Sequence, residues 1–172
     1  MYKRITDQAE LSLVTLDEVK RQCRVFHNTE DVYLGSLIIP YSDLAQSYTN
    51  RMLTAGTAEV FVEEYEPVIL LPYGEVTEVT EVLVDDVETT NFTFNPITQK
   101  VTINDTFTTA KITFSAGYTT VPDVVKMAVL MMISTAYNNR DDIIVGQTIQ
   151  SIQMSSRVMV DYVRGGVEVM YV

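Results

Sequence analysis

The chain has 172 residues, of which 47% are hydrophobic and 20% charged, the balance of a globular protein rather than a disordered or fibrous one. Its formal net charge is −11, and no basic tract interrupts that excess, which argues against a protein that reads phosphate backbones. One cysteine excludes an intrachain disulfide framework, and the opening "MYKRITDQAE" lacks the apolar core of a signal peptide. The longest apolar run, "MAVLMMI" at 127–133, is far shorter than the ~20 residues a membrane helix needs. The expectation is a soluble intracellular protein with no membrane partner.

In chain order, "VTLDEVKRQCRV" predicts a helix: Thr15 and Glu18 have the spacing of a capping box, and Val14 and Val19 that of a hydrophobic staple. Leu16, Val19 and Cys23 share its apolar face. After a break at Phe26–His27–Asn28, Thr29 is placed to cap a longer helix, with Glu30 and Asp31 in its first turn. The apolar positions Leu34, Leu37, Ile38, Tyr41, Leu44, Ala45, Tyr48 and Met52 follow helical spacing. Pro40 removes one backbone hydrogen bond, so a kink or two abutting helices are expected there.

Residues 57–117 change character, with Val, Thr and aromatics between recurring turn residues, and predict five or six short antiparallel strands. Within them "VTEVTEV" repeats valine every third residue, fitting neither strand nor helix period, so a bulge is expected. Residues 56–100 also hold ten acidic side chains against the single base Lys100.

The stretch "VPDVVKMAVLMMISTAYNNRDD" at 121–142 predicts a long helix that is apolar on nearly every side, with Pro122 in its first turn and Asp123 beside it. Val125, Ala128, Val129, Met132 and Ala136 form one face; Val124, Met127, Met131 and Thr135 an adjoining one; Leu130, Ile133 and Tyr137 a third. A helix apolar all round is buried all round. Two readings follow: wrapping by its own chain, or packing of Val124, Met127 and Met131 on another subunit. A further helix "SSRVMVDYVR" and the tail "GGVEVMYV" (165–172) close the chain. The tail alternates, with Val167, Val169 and Tyr171 on one side and Glu168, Met170 and Val172 on the other. It reads either as a frayed terminus or as a strand seeking a sheet edge.

No chemistry is legible. His27 is the only histidine and lies in a polar turn, where a surface or capping role is expected; Cys23 falls on an apolar face without a histidine partner. The adjacent acids Glu63–Glu64, Asp85–Asp86 and Asp141–Asp142 match no calcium loop and suit solvated turns and edges. "AGYTT" has one glycine and no lysine, so it is no phosphate loop, and no serine sits in an elbow motif. Neither a catalytic residue nor a metal site nor a cofactor is expected.

The fold class expected is α+β: a small helical bundle with an antiparallel β insertion between the second and third long helices. It is read as a single domain over 1–172, with a helical core at 12–56 and 121–164, the β insertion at 57–117 and the tail at 165–172.

The stretches also form an ordered series. "LVTLDEVKRQCRV" (with Leu16, Val19, Lys20 and Val25), "EDVYLGSLIIPYSDLAQSYTNR" (with Asp31, Leu34, Leu37, Ile38, Tyr48 and Arg51) and "LPYGEVTEVTEVLVDD" come first. "ITFSAGYTTVPDVVKMAVLMMISTAYNNRDD", with Ala116–Gly117–Tyr118 and Val121–Pro122, and "VMVDYVR", with Tyr162 and Arg164, complete it. In this order the sequence resembles the head–tail connector (adaptor) proteins of long-tailed bacteriophages, which form a ring beneath the portal. It departs from them at Pro40, where they have an uninterrupted helix, and at Val158, Met159 and Val160, where they are richer in leucine. The resemblance implies a structural virion protein at the head–tail junction that forms a ring, expected to be twelve-fold, assembled in the host cytoplasm. Its partners would be itself, the portal protein and a stopper or other neck or tail protein, with the genome passing through the lumen unbound. It also implies that the tail residues Val167, Val169, Met170 and Tyr171 dock on the portal. The acid of the β insertion would line the lumen or an exposed rim, or else only keep that region soluble. Alternatives are another neck or tail ring protein (a stopper or tail terminator) and a small monomeric binding module, which native mass would separate from a ring.

Overall fold

The computed structural model describes residues 1–139, which form two compact units. One combines Met1–Glu10 with Asn50–Thr120 and holds the strands; the other starts at Leu11–Thr49, resumes at Val121 and holds the helices. The expected closing helix and the tail, with Val167, Val169, Met170 and Tyr171, lie outside the described residues.

In the helical unit, α1 (Leu16–Cys23) starts on the predicted capping box: Thr15 Oγ1 accepts from the Glu18 amide at 3.3 Å, and Glu18 Oε2 accepts from the Thr15 amide at 2.7 Å. Val14 and Val19 are both buried. The helix ends in a Schellman arrangement, with Arg24 in the left-handed region at φ 58° and its amide bonded to the Arg21 carbonyl, while the Val25 amide reaches Lys20. α2 (Asp31–Thr49) is one helix through Pro40, so the expectation of two abutting helices does not hold. Pro40 is on the solvent side, as is Ser36, whose carbonyl has no amide at Pro40 to accept from and lies where solvent can satisfy it at little cost. Thr29 does not cap this helix, since its hydroxyl bonds His27 Nδ1 at 2.7 Å.

The buried face of α2 is Leu34, Ile38, Ser42, Ala45 and Thr49, whereas Leu44, expected inside, is exposed. Ser42 earns its place by accepting from the Leu13 amide at 3.3 Å, and Thr49 donates back to the Ala45 carbonyl. Polar groups hydrogen-bonded in this way can be buried at little cost. α3 (Asp123–Asn138) starts one residue later than expected, with Pro122 preceding the first helical residue and its carbonyl accepting from the Val125 amide at 2.9 Å.

In the β unit, eight antiparallel strands form two sheets, with β1 (Tyr2–Gln8), β2 (Gly56–Val62), β8 (Ala110–Ala116), β4 (Val76–Val84) and β5 (Val87–Glu88) in that order in the larger. The smaller orders β3 (Val68–Leu70), β7 (Lys100–Ile103) and β6 (Phe92–Asn95). Both sheets give their inner faces to one core: Val60, Ile112, Phe114 and Val82 from the larger, Ile69, Val101 and Ile103 from the smaller. Mixed α+β with antiparallel sheets is therefore correct, and β1 adds to the strand region an N-terminal strand that was not anticipated.

The three-residue repeat resolves here. Val76 pairs with Ala116, Val79 with Phe114 and Val82 with Ile112, and the register shifts twice between them. The extra residues are Thr77 and Thr80, whose hydroxyls donate to the Ser115 and Thr113 carbonyls of β8 at 3.3 and 3.0 Å. Two bulges thus turn a period of three into three valines on one face. The β4–β5 turn places Asp85 and Asp86 at φ 49° and 65°, the two-residue hairpin geometry that aspartate tolerates.

Candidate interaction surfaces

The helix α3 divides by exposure. Val125, Ala128, Val129 and Ile133 are fully buried in the helical unit. Ile133 joins this face in place of Met132, which is only half-buried. On the adjoining side Val124 and Met131 are half-buried, Thr135 is exposed, and Met127 keeps 46% of its surface in solvent. The described residues of its unit therefore do not wrap the helix all round. Its C-terminal turn is held by Tyr137, whose hydroxyl bonds the Glu30 carboxylate and whose ring lies 6.4 Å from that of Tyr33. Lys20 ties the first two helices, reaching Asp31 at 2.7 Å and Asn28 at 2.7 Å.

Two residues of the recognisable series meet in the β unit. Arg51 Nη1 lies 3.5 Å from the Tyr118 hydroxyl and 3.7 Å from Glu75 Oε1, and its backbone bridges to Tyr73. Lys3 sits 5.0 Å from the centre of the Tyr73 ring and donates to Asn50. Arg51 thus acts as a clasp between the residues after α2, the "PYGE" turn and the "AGY" turn. Gly117 makes the last of these, at φ 102°, where a Cβ would come within 2.2 Å of the Thr54 carbonyl.

The acids do not form one patch. Glu59 is bound by Arg4 at 2.7 Å and Lys111 at 3.0 Å, and the first of these contacts holds its carboxyl below the usual range. Asp85 is held low chiefly by the Thr109 amide at 2.8 Å. It is the lock of a hairpin, as the solvated-turn reading of Asp85–Asp86 expected. Glu63, Glu64 and Glu66 remain exposed in the β2–β3 loop. A shallow hollow of about 360 Å³ on the open face of the larger sheet is lined by Tyr2, Arg4, Glu59, Phe61 and Lys111, and its bases are largely spent on Glu59.

His27 is exposed and engaged with Thr29, and Cys23 is half-buried, its thiol pushed up by burial against a bond to Ser134. Among the described residues no group of three His, Cys, Asp or Glu is arranged to hold a metal, and no helix is long and apolar enough to cross a membrane. What the geometry offers is surface: an apolar helix face, sheet edges and charged loops.

A family model described as "Phage gp6-like head-tail connector protein" matches residues 13–162. The chain belongs to this family. It is a structural protein of the virion neck, connecting head to tail. Comparison with curated proteins gives no match. Among solved structures, the connector's fold is similar to a chain in the neck of an empty gene transfer agent (GTA) particle computed with C6 symmetry, at 15% identity, TM-score 0.72 and 95% coverage of each chain. A chain in the virion of a native gene transfer agent particle gives 14% identity and TM-score 0.70, covering 94% of each. A third, in the neck of a native particle computed with C12 symmetry, gives 12% and 0.66, covering 95% of each.

Proposed function

We propose that this connector works as a ring whose subunits meet through α3, with Val124, Met127 and Met131 on the contact. The observation that carries this is the split of α3: Val129 on one face is fully buried, while Met127 on the adjoining face is 46% exposed in an otherwise apolar helix. Burying such a side chain contributes roughly 1.5–3 kcal/mol, and methionine tolerates the imperfect fit of a repeated contact. The likeness to neck chains from particles computed with C6 and C12 symmetry supports a closed ring, and twelve subunits is the number we expect.

In this reading the chain is one functional domain, its helical core (12–56 and 121–164) carrying the β insertion (57–117). The tail 165–172 docks as a strand on the portal through Val167, Val169, Met170 and Tyr171, and a stopper or other neck protein follows on the far side. The work is geometric, with no bond made or broken and no cofactor. Unpaired acid such as Glu63, Glu64 and Glu66 faces a rim or the lumen, through which the genome passes unbound.

Native mass spectrometry with and without the portal protein tests the proposal. A ring, or a protomer that becomes a ring on the portal, is the expected result. A monomer under both conditions overturns it. A chain ending at Arg164 is expected to fold and to dock poorly; equal docking would remove the tail from the mechanism.

A further inference from the structure

The two sheets of the β unit end in edges that are treated differently. β1, at the edge of the larger sheet, carries Lys3, Arg4 and Asp7 and a break in register between Ile5 and Asp7, devices that discourage another strand from pairing. β3, at the edge of the smaller sheet, has none of these. Its side chains Val68 and Leu70 stand 41% and 57% exposed, with Ile69 between them fully buried.

The hydrogen-bond accounting shows what this edge offers. The Pro67 carbonyl accepts from the Ile103 amide, and the Leu71 amide donates to the Gln99 carbonyl, both at 2.9 Å. Residues 67, 69 and 71 therefore face β7, and by strand alternation the amides and carbonyls of Val68 and Leu70 point to the open side. Pro72, the next outward position after Leu70, closes the slot at that end, since proline cannot donate. Pairing cannot run on past Leu70, and a slot whose outward amides are those of Val68 and Leu70 remains.

Charge decides the occupant. Glu63, Glu64 and Glu66 lie just ahead of the slot, exposed and without an ion pair among the described residues, against one nearby base, Lys100, across from Leu70. The chain's own tail offers Glu168 and no base. Its basic strand, β1, already spends Arg4 on Glu59 and Lys3 on Asn50 and Tyr73.

We propose that β3 is a docking slot for an extended segment of a partner protein, one that alternates apolar residues and carries lysine or arginine at its flank. The segment adds as a strand beside Val68–Leu70, its apolar side chains covering Val68 and Leu70 and its bases meeting the Glu63–Glu66 loop. This stands apart from the ring and from the tail, so it survives the failure of either.

The test uses the full chain and a fluorescein-labelled peptide, Lys-Val-Thr-Val-Lys, followed by fluorescence anisotropy and by amide exchange at Val68 and Leu70. Binding with slowed exchange at both amides is expected. Glutamate in place of the peptide's lysines, or Glu63→Gln with Glu64→Gln and Glu66→Gln, is expected to weaken binding roughly tenfold. N-methylation of alternate peptide amides, which leaves the protein untouched, should abolish it. Leu70→Pro, which removes only an outward amide, should do the same with the circular dichroism unchanged. No binding, binding indifferent to peptide charge, or Val68 and Leu70 protection that rises with protein concentration alone, the mark of a second copy in the slot, would each overturn the proposal.

Discussion

At the scale of single residues, Gly117 and three carboxylates carry the sharpest expectations. Gly117 sits at φ 102° with its missing Cβ directed at the Thr54 carbonyl, so Gly117→Ala meets both backbone strain and a clash. It should destabilise by more than about 1 kcal/mol, read as a lower urea midpoint. Glu18, held low first by the Thr15 amide, Glu59, held low first by Arg4, and Asp85, held low first by the Thr109 amide, share one sign. Each is depressed in the folded chain, so its contribution is complete above the unfolded carboxylate value of about 4 and is lost as pH falls through the lower folded value. The urea midpoint should hold constant from neutral pH down to about pH 5 and fall below about pH 4. Asp85→Asn should flatten part of that fall. A midpoint that rises with acid would contradict the assignment. Of these residues, Thr15 and Glu18 were legible as a capping box because the motif closes within four positions. Asp85's partners, Thr108 and Thr109, lie more than twenty residues away, where no local pattern points.

At the scale of elements, α3 and β4 make separate predictions. Val129→Asp strands a charge in the core of the helical unit and should unfold the chain. Met127→Asp, on the exposed side, should leave the circular dichroism and melting of the protomer nearly unchanged while blocking assembly by native mass. Equal loss of folding in both variants would mean that α3 is enclosed by its own chain. In β4, deleting Thr80, the extra residue of one bulge, brings Val79 to two positions before Val82, the spacing of a regular strand, so both valines keep the face they share. The deletion should therefore be tolerated, with the β unit still unfolding cooperatively in urea. Thr80→Val keeps the bulge and loses only the bond to the Thr113 carbonyl, about 1 kcal/mol. Loss of cooperative unfolding on deletion would show that Thr80 is not the extra residue.

For the molecule as a whole, net charge is the governing quantity. With −11 overall, and with Arg4 and Lys111 turned onto Glu59, the described surface offers no basic tract to a duplex. The protein should show no submicromolar, salt-sensitive affinity for duplex DNA at physiological salt, measured by anisotropy. Such binding would require phosphate contacts from a basic surface and would contradict the proposed lumen that lets the genome pass.

The sequence by itself determined the three described helices, the strand-rich middle and the family, because capping residues, apolar period and turn chemistry act within a few positions. It also showed that "VTEVTEV" needed a bulge, since no regular element has a period of three. Tertiary structure decided the rest. "YKRITDQ" is too charged to read as a strand, yet it pairs with Gly56–Val62 some fifty residues away and puts the chain's first residues into the β unit. Arg51 and Tyr118 were each noted, but only the fold brings them within 3.5 Å. At Pro40 a kink or two abutting helices were expected, and α2 runs on as one helix because the proline is on the exposed side, where a lost hydrogen bond costs little. In each case the deciding partner is remote in sequence or is the solvent, and neither leaves a mark on the local pattern.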